Sequence, residues 1–291
     1  MLLRVPHQGG CGGRGPECHP HRRHLVHDHS LPGRFLGSDA PVSIRLADVH
    51  KAFGKKRILK GFSLEVPEGQ TVAIVGPSGI GKSVTLKHVV GLLTPDEGTV
   101  VVDELSVPDL DRAGLTDLRR RVGFVFQFAA LFDSMTVGDN VAMALRRLAD
   151  WDPPRITARV MECLELVELD GMSNRYPSQL SGGQKKRAGL ARALAPSPRY
   201  ILYDEPTTGL DPVTKSVIDR LILRMRDDLG VTGLMVTHDM TSAYRVADRI
   251  VLLHDGKARF VGSPEEVRAA PDPVVQGFVT GNPALFYGEA Q

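Results

Sequence analysis

The sequence has few aromatic residues and few cysteines, and it lacks a long apolar run. Aromatic residues make up 5% of the 291 residues, with one Trp, and there are three Cys. Three cysteines do not form a disulfide framework, which favours a reducing, cytoplasmic compartment. No uninterrupted apolar segment reaches the roughly 18 residues that a bilayer span requires. We therefore expect a soluble chain, or one that reaches the membrane through a partner.

An excess of charge of one sign is also missing. Lys and Arg total 36 and Asp and Glu total 34, so the formal net charge is +2. This balance argues against a nucleic-acid binder that depends on a broad basic surface. The hydrophobic fraction of 42% and the charged fraction of 24% are ordinary for a globular chain with a sizeable core.

The first 41 residues differ in composition from the rest. They contain six of the ten histidines and seven of the 30 glycines, and no strand or helix period is visible in them. We expect residues 1–41 to be a disordered extension. We do not expect a signal peptide, because the segment contains no apolar stretch that ends at a small-residue cleavage site. A translation start after this segment is one alternative. Another is a zinc site, although the spacing fits no standard finger; its ligands would be Cys11, Cys18, His19 and His21.

Strand and helix patterns alternate from residue 42 onwards. Apolar and β-branched runs predict strands at Ser43–Val49, Phe62–Val66, Thr71–Val75, Thr99–Val102, Val122–Phe126, Tyr200–Tyr203, Gly233–Thr237 and Arg249–Leu253. Apolar residues at helical spacing predict helices at Gly81–Leu93, Val137–Leu148, Ile156–Leu166, Ser181–Leu194, Val213–Leu229 and Met240–Val246. The alternation predicts an α/β fold with a mixed, largely parallel sheet. The helix-only stretch at 137–194 predicts an inserted helical subdomain.

A glycine-rich segment follows the third predicted strand and opens a helix. Residues 76–83 read Gly-Pro-Ser-Gly-Ile-Gly-Lys-Ser, which matches the phosphate-loop pattern G-x-x-x-x-G-K-[ST]. Backbone N–H groups of such a loop and the helix N-terminus bind phosphate oxygens. Lys82 is predicted to reach the β- and γ-phosphates, and Ser83 to ligate Mg²⁺. The predicted nucleotide-binding residues are Gly76, Pro77, Ser78, Gly79, Ile80, Gly81, Lys82, Ser83 and Val84.

Two carboxylates follow the apolar strand at Tyr200–Tyr203. Asp204 and Glu205 lie at its carboxyl end. In an ATPase with a phosphate loop, the first acidic residue positions Mg²⁺. The second can polarise the attacking water as general base. We therefore predict that Asp204 is a metal ligand and that Glu205 is the catalytic base.

A second glycine-rich helix start lies at Leu180–Gln184, which reads Leu-Ser-Gly-Gly-Gln. Ser181 is a favourable N-cap, and Gly182 and Gly183 leave backbone donors unshielded. This is a second anion-binding helix start in the same chain. Its predicted nucleotide-binding residues are Ser181, Gly182, Gly183 and Gln184. Two such starts predict that two copies share each nucleotide, with the phosphate loop of one facing this segment of the other.

The order of these motifs resembles that of the ATPase subunit of an ABC (ATP-binding cassette) transporter. The resemblance covers residues 42–281 and includes Gln127, Gly209-Leu210-Asp211 and His238. It implies ATP and Mg²⁺ as cofactors and ATP hydrolysis coupled to transport by a separate permease. It also implies a phosphate-loop core with an antiparallel N-terminal β-subdomain and the inserted helical subdomain. Residues 282–291 are then a C-terminal tail.

The resemblance also implies roles for isolated residues. Gln127 senses Mg²⁺ and the γ-phosphate and couples to the permease, His238 contacts the γ-phosphate, and Asp211 communicates across the dimer. Phe53 occupies the place of the aromatic residue that stacks on adenine. The implied catalytic residues are Glu205, His238, Gln127 and Lys82. The implied metal ligands are Ser83, Gln127 and Asp204.

The segment at 128–141 faces the permease in this family and therefore reflects the cargo. Together with residues 185–187 and 271–281, it resembles the Mla-type (maintenance of lipid asymmetry) ATPases of phospholipid transporters. Ala129 stands where those relatives usually have Gly, and Gln184 where they often have Met. The resemblance implies an MCE-domain lipid-binding protein as a further partner. It places the chain on the cytoplasmic face of the bacterial inner membrane.

Two other functions are alternatives to lipid transport. An ABC importer ATPase for amino acids or another small solute would have the same nucleotide chemistry. A family member that acts on ribosomes or DNA would carry two cassettes or a long inserted coiled coil, whereas only 97 residues separate Ser83 from Ser181. We expect no nucleic-acid partner. In the tail, Phe286 and Tyr287 either dock on the second copy or belong to a disordered end.

Overall fold

The computed structural model describes residues 41–148 and 151–288. In these residues the strands are β1 (Val42–Phe53), β2 (Lys56–Pro67), β3 (Thr71–Val75), β4 (Glu97–Val102), β5 (Leu105–Ser106), β6 (Val122–Val125), β7 (Tyr200–Asp204), β8 (Thr232–Thr237), β9 (Arg249–His254) and β10 (Lys257–Gly262). The α-helices are α1 (Lys82–Val89), α2 (Arg112–Arg121), α3 (Val137–Leu148), α4 (Pro153–Leu166), α5 (Gly182–Leu194), α6 (Pro212–Asp227), α7 (Met240–Val246), α8 (Pro264–Ala269), α9 (Pro273–Thr280) and α10 (Pro283–Tyr287). The predicted N-terminal extension and its candidate zinc ligands lie outside the described residues.

The larger sheet has the strand order β10-β9-β3-β8-β7-β6. Its neighbouring strands are parallel except for the antiparallel pair β9 and β10. Ala73 and Val75 of β3 face one core, and Val72 and Ile74 face another. A central strand that is covered on both faces reads as a continuous apolar run, as this one does. The carboxyl ends of β3, β7 and β8 meet at one edge, where ligands bind in such sheets.

The smaller sheet is antiparallel, with the order β2-β1-β4-β5. Ile44 and Leu46 of β1 and Phe62 and Leu64 of β2 are buried in the core that also holds Ile74 of the larger sheet. This sheet confirms the antiparallel N-terminal β-subdomain that the resemblance implied. It presents the end of β1 to the phosphate loop.

Helices α3, α4 and α5 pack together over the region where only helices were predicted. Val141 and Leu145 of α3, Cys163 and Leu164 of α4, and Leu190 of α5 are buried in one core. The fold therefore contains the expected helical elements. The domain boundaries proposed from the sequence stay predictions.

Several elements differ from the predicted ones. α1 ends at Val89 rather than at Leu93, because Gly91 adopts a left-handed φ of 61° that ends the helical turn. α2 was not predicted because Leu118 is the buried residue on an otherwise charged helix, so no apolar period is visible. The short elements β5, β10, α8, α9 and α10 were also missed.

The described part of the C-terminal tail is helical. Asn282 caps α10 through hydrogen bonds from two backbone N–H groups. Phe286 is 7% exposed and contacts the rings of His254 and Phe278. Phe286 therefore packs on its own chain, which corrects both readings of that residue, whereas Tyr287 is 76% exposed.

The helices that the structure describes lie within residues 41–148 and 151–288. None of the helices there combines the length and the apolar composition that a bilayer crossing requires.

Candidate active site

The phosphate loop connects the end of β3 to the start of α1. Gly81 adopts a φ of 115°, and a Cβ atom there would lie 2.5 Å from Cγ2 of Ile58. No side chain caps the first turn of α1. The loop therefore leaves backbone N–H groups free for an anion at this helix start.

Lys82 is 5% exposed and lies beneath the loop. Its Nζ donates hydrogen bonds to the carbonyl oxygens of Gly76 at 2.7 Å and Pro77 at 3.0 Å. The same Nζ lies 3.4 Å from Oε1 of Glu205. Burial lowers the pKa of Lys82, and the nearby carboxylates of Glu205 and Asp204 oppose that shift. The ammonium is held between the loop and the acidic strand end.

Ser83 and Asp204 offer adjacent oxygen atoms. The Ser83 hydroxyl donates a hydrogen bond to Oδ1 of Asp204 at 2.7 Å. Burial raises the pKa of Asp204, so a bound cation would stabilise its charged form. Mg²⁺ is held in such sites by one or two protein oxygens together with substrate phosphates. In the described part of the chain no three His, Cys, Asp or Glu side chains form a metal cluster, which is compatible with this kind of site.

Glu205 lies at the end of β7 with its backbone in the left-handed region, at a φ of 50°. It is 7% exposed. Its Oε2 accepts a hydrogen bond from the hydroxyl of Thr208 at 3.0 Å and lies 2.9 Å from Nδ1 of His238. A non-glycine residue in this conformation is strained, and such strain is found at functional sites. Two neighbours thus fix the carboxylate while its other oxygen faces Lys82.

Of these groups, Lys82, Ser83, Glu205 and His238 line an open cleft of about 390 Å³. Phe53 lies at its edge with a 48% exposed ring. The structure therefore brings the phosphate loop, the adenine-stacking candidate and the catalytic candidates into one cleft. Gln127 also lines it, as the first residue of the segment 127–130, which we call the Gln127 loop. The lining residues are Phe53, Ile58, Ser78, Gly79, Gly81, Lys82, Ser83, Val84, Gln127, Glu205 and His238.

The Ser181–Gln184 segment, which we call the signature segment, does not line this cleft in the described residues. The Ser181 hydroxyl accepts a hydrogen bond from the backbone N–H of Gln184, whose side chain accepts one from the N–H of Ser181. Gly183 lies against Thr214, the nearest atom to a Cβ built on the glycine being 2.4 Å away. Asp211, at the N-terminus of α6, accepts hydrogen bonds from the N–H groups of Val213 and Thr214. Asp211 and the signature segment therefore share a second surface.

Three residues that the sequence did not single out as site residues contact the predicted ones. Thr208 binds Glu205. Lys186, whose pKa is lowered by burial to about 8, donates hydrogen bonds to backbone carbonyl oxygens of Gln127 and Glu205. Arg192 donates to carbonyl oxygens just after Gln127. The sequence analysis used Lys186 only for the resemblance to lipid-transport ATPases and gave Arg192 no role, since contacts with backbone carbonyls leave no trace in a residue pattern.

A family model described as ABC transporter matches residues 59–208. This match covers half of the chain and includes the phosphate loop, the signature segment and the acidic strand end.

The chain belongs to the ABC transporter family.

Two curated relatives and one solved structure illustrate the similarity to other ABC proteins. The chain is 41% identical over 269 residues to the protein Trigalactosyldiacylglycerol 3, chloroplastic, of Arabidopsis thaliana, covering 86% of this chain and 76% of the relative. It is 42% identical over 252 residues to the sulfate/thiosulfate import ATP-binding protein CysA of Caulobacter vibrioides, covering 86% and 71%. A dimeric post-hydrolysis state of the ATP-binding cassette MJ0796 bound to ADP and Pi matches with a TM-score of 0.70 and 37% identity, covering 76% of this chain and 98% of that one.

Membership of this family establishes the general activity. The chain is an ATP-binding subunit of an ABC transporter and hydrolyses ATP with Mg²⁺. ABC ATPases work as dimers together with a membrane permease. The relatives include both a sulfate/thiosulfate import protein and a protein named after a galactolipid, so the cargo is a separate question.

Proposed function

We propose that the chain, bound at the cytoplasmic face of a bacterial inner membrane, powers phospholipid transport across or from that membrane, with a permease and an MCE-domain lipid-binding protein as partners. The observation that carries this proposal is the segment after β6, where the resemblance to lipid-transport ATPases lies. It forms an exposed apolar surface beside Gln127: Phe126 is 41% exposed, Phe128 83% and Phe132 49%. Exposed apolar surface of this kind is a common feature of protein interfaces. The galactolipid-named relative adds support.

A second candidate is import of a small oxyanion or another small solute. The CysA relatives, named for sulfate/thiosulfate import, favour it because they match over a similar share of this chain. Both candidates use the same ATP chemistry and differ in the permease.

The two candidates differ in what copurifies and in what stimulates hydrolysis. For lipid transport, the tagged chain copurifies with a permease and an MCE-domain protein, and phospholipid raises the ATPase rate of the reconstituted complex. Copurification with a permease and a solute-binding protein, and stimulation by sulfate with that protein present, would establish the second candidate instead.

We propose the following division of labour within the nucleotide site. Phe53 stacks on adenine, and the loop N–H groups and Lys82 bind the phosphates. Ser83 and Asp204 hold Mg²⁺, which when bound neutralises phosphate charge. The signature segment and Asp211 of a second copy complete the site from the opposite side.

Glu205 is proposed to accept the proton of the attacking water. As the water oxygen bonds to the γ-phosphorus, the bond from that phosphorus to the β-γ bridging oxygen breaks and ADP leaves. Oε2 is held by Thr208 and lies beside His238, so we assign the proton to Oε1, which faces Lys82. His238, whose side chain is 48% exposed and lines the cleft, is proposed to contact the γ-phosphate. Gln127 is proposed to couple the nucleotide site to the exposed surface that contacts the permease.

These roles are tested by single-turnover hydrolysis in Glu205→Gln. The variant should bind ATP and accumulate as a closed dimer, since the amide keeps the shape of the side chain but does not accept the proton. Hydrolysis at the unmodified rate would remove Glu205 from the role of base.

A further inference from the structure

One face of α5 carries three residues at three-residue spacing, Lys186, Gly189 and Arg192. Residues at this spacing are neighbours on a helix surface. All three contact segments of the nucleotide site of the same chain. α5 is also the helix that begins at the signature segment. One helix therefore contacts the parts of the site that were predicted as separate motifs.

Lys186 contributes the most central of these contacts. It is 6% exposed. Its Nζ donates hydrogen bonds to the backbone carbonyl oxygens of Gln127 and, at 3.1 Å, of Glu205. These residues lie at the ends of β6 and β7, which are neighbouring parallel strands. A single ammonium thus connects the Gln127 loop to the catalytic strand end.

Gly189 and Arg192 contact the next residues of the Gln127 loop. A Cβ on Gly189 would lie 3.3 Å from Cβ of Ala129, so the glycine makes room for that side chain. Arg192 donates to the carbonyl oxygens of Ala129, at 2.7 Å, and Ala130. Three of the four residues from Gln127 to Ala130, namely Gln127, Ala129 and Ala130, therefore accept hydrogen bonds from α5.

The segments held by α5 have strained backbones. Glu205, Ala129 and Ala130 adopt left-handed φ angles of 50°, 59° and 48°. Non-glycine residues keep such angles only where their surroundings fix them. Lys186 binds the carbonyl of one of these residues and Arg192 those of the other two. The two cations therefore hold backbone conformations that the chain does not favour by itself.

We propose that Lys186 is a positioning residue that ties the Gln127 loop and the Glu205 strand end to α5 and thereby holds the general base in its place for hydrolysis. This inference rests on the proposed roles of Gln127 and Glu205. Lys186 acts through backbone carbonyls and touches no reacting atom.

The test compares Lys186→Met with two other variants. Methionine keeps the apolar stem of the side chain but removes the donor, whereas Lys186→Arg retains a cationic donor. Lys185→Met is the matched control, because Lys185 is the neighbouring residue on α5 and its side chain makes no hydrogen bond or ion pair among the described residues. All variants are assayed for ATP affinity, steady-state hydrolysis and thermal unfolding.

We expect Lys186→Met to bind ATP within about twofold of the unmodified chain but to lose roughly tenfold to a hundredfold in kcat, the loss typical of a displaced catalytic group. Lys186→Arg should recover most of this loss, and Lys185→Met should show none. If Lys186→Met does not fold, Lys186→Gln replaces it, with the same expected split between binding and turnover.

Amide hydrogen exchange provides a second readout that a general stabilising role would not produce. In Lys186→Met, faster exchange should be confined to the segments at 127–130 and 205–208. Unchanged kcat, or uniformly faster exchange with equal losses of binding and turnover, would overturn the proposal. Because Glu205→Gln is assayed alongside, failure of the positioning role of Lys186 can be distinguished from failure of the proposed base role of Glu205. If Glu205→Gln is inactive and Lys186→Met is fully active, the positioning role alone is wrong; if Glu205→Gln is fully active, the proposed base is wrong.

Discussion

Two glycine-rich segments begin helices in this chain. They differ in how many of the groups needed to bind a nucleotide the same chain places around the helix start. The phosphate loop precedes α1, where no side chain caps the first turn, and Lys82, Asp204 and Glu205 surround it. The signature segment comprises the N-cap and first turn of α5, where Ser181 and Gln184 cap each other, and its exposed surface adjoins Asp211. The first helix start is therefore part of a charged cleft, whereas the second lies at a surface and offers a hydroxyl and N–H groups beside the Asp211 carboxylate.

The difference indicates which interactions are supplied within a chain and which come from outside it. The proposed charge compensation and the proposed general base lie on the phosphate-loop side, so we expect one chain to bind ATP by itself. The signature segment has no carboxylate or lysine side chain of the cleft beside it and is suited to an anion brought by a second copy. Substitutions around the phosphate loop and substitutions in the signature segment should therefore change ATP affinity and hydrolysis rate in different proportions.

The largest effect is expected at Glu205. Glu205→Gln should lower the hydrolysis rate by roughly a hundredfold to ten-thousandfold, because a positioned general base contributes about that much. ATP affinity, measured by equilibrium binding, should not fall. Glu97→Gln is the control, since Glu97 is exposed on β4 and should leave both quantities unchanged. Equal loss of hydrolysis in both variants would contradict the assignment.

The next effect is expected at Lys82. Lys82→Ala should weaken ATP binding by a single chain by about tenfold to a hundredfold, the equivalent of one lost charge-assisted hydrogen bond. Hydrolysis should then be undetectable. Exposed Lys55, changed to Ala, serves as the control in titrations with a fluorescent ATP analogue. Wild-type affinity in Lys82→Ala would show that the lysine does not reach the phosphates.

A smaller effect with a different signature is expected at Ser181. Ser181→Ala removes an N-cap worth about 1 kcal/mol of stability. It should leave ATP binding by a single chain unchanged and lower turnover at concentrations where dimers form. Ser263→Ala is a closely matched control, because Ser263 and Glu266 form the same capping box at α8 away from the site. If both variants lose the same activity, the loss at Ser181 is a stability effect.

The smallest effect is expected at Phe53. Phe53→Leu should weaken ATP binding by a few fold, since stacking of an aromatic ring contributes about 0.5–1.5 kcal/mol. Phe53→Tyr keeps the ring and should bind ATP normally. The comparison with GTP adds a check, because a stacking ring discriminates weakly between bases. Unchanged ATP affinity in Phe53→Leu would move the adenine away from this ring.

The phosphate loop could be predicted from sequence because its chemistry is local. Glycines that accept unusual φ angles, a lysine and a hydroxyl lie in eight consecutive residues between a strand and a helix. The hydrogen bond from Ser83 to Asp204 joins residues 121 positions apart, and the sequence predicted only that both residues ligate Mg²⁺. The general fold and the ATPase activity were predicted correctly on this basis.

The contacts of α5 could not be predicted in the same way. Lys186 binds backbone oxygens whose positions depend on left-handed residues at Ala129 and Glu205, and a residue pattern does not reveal either. The short C-terminal helices were missed because they are too brief to show an apolar period. The lipid cargo predicted from the sequence stays a proposal, since the segment near Phe128 is expected to reflect the permease rather than the chemistry of the nucleotide site.

The central claim is that two copies close around ATP, with the phosphate loop of one facing the signature segment of the other. It is tested most directly by an ATP-dependent disulfide. Ser78→Cys and Ser181→Cys are introduced into a Glu205→Gln chain whose own cysteines, Cys11, Cys18 and Cys163, are replaced by serine or alanine. With ATP and Mg²⁺, mild oxidation should join the two introduced cysteines of different copies into a covalent dimer, and no such dimer should form without nucleotide. ATP binding without any intermolecular bond between these positions would contradict the account.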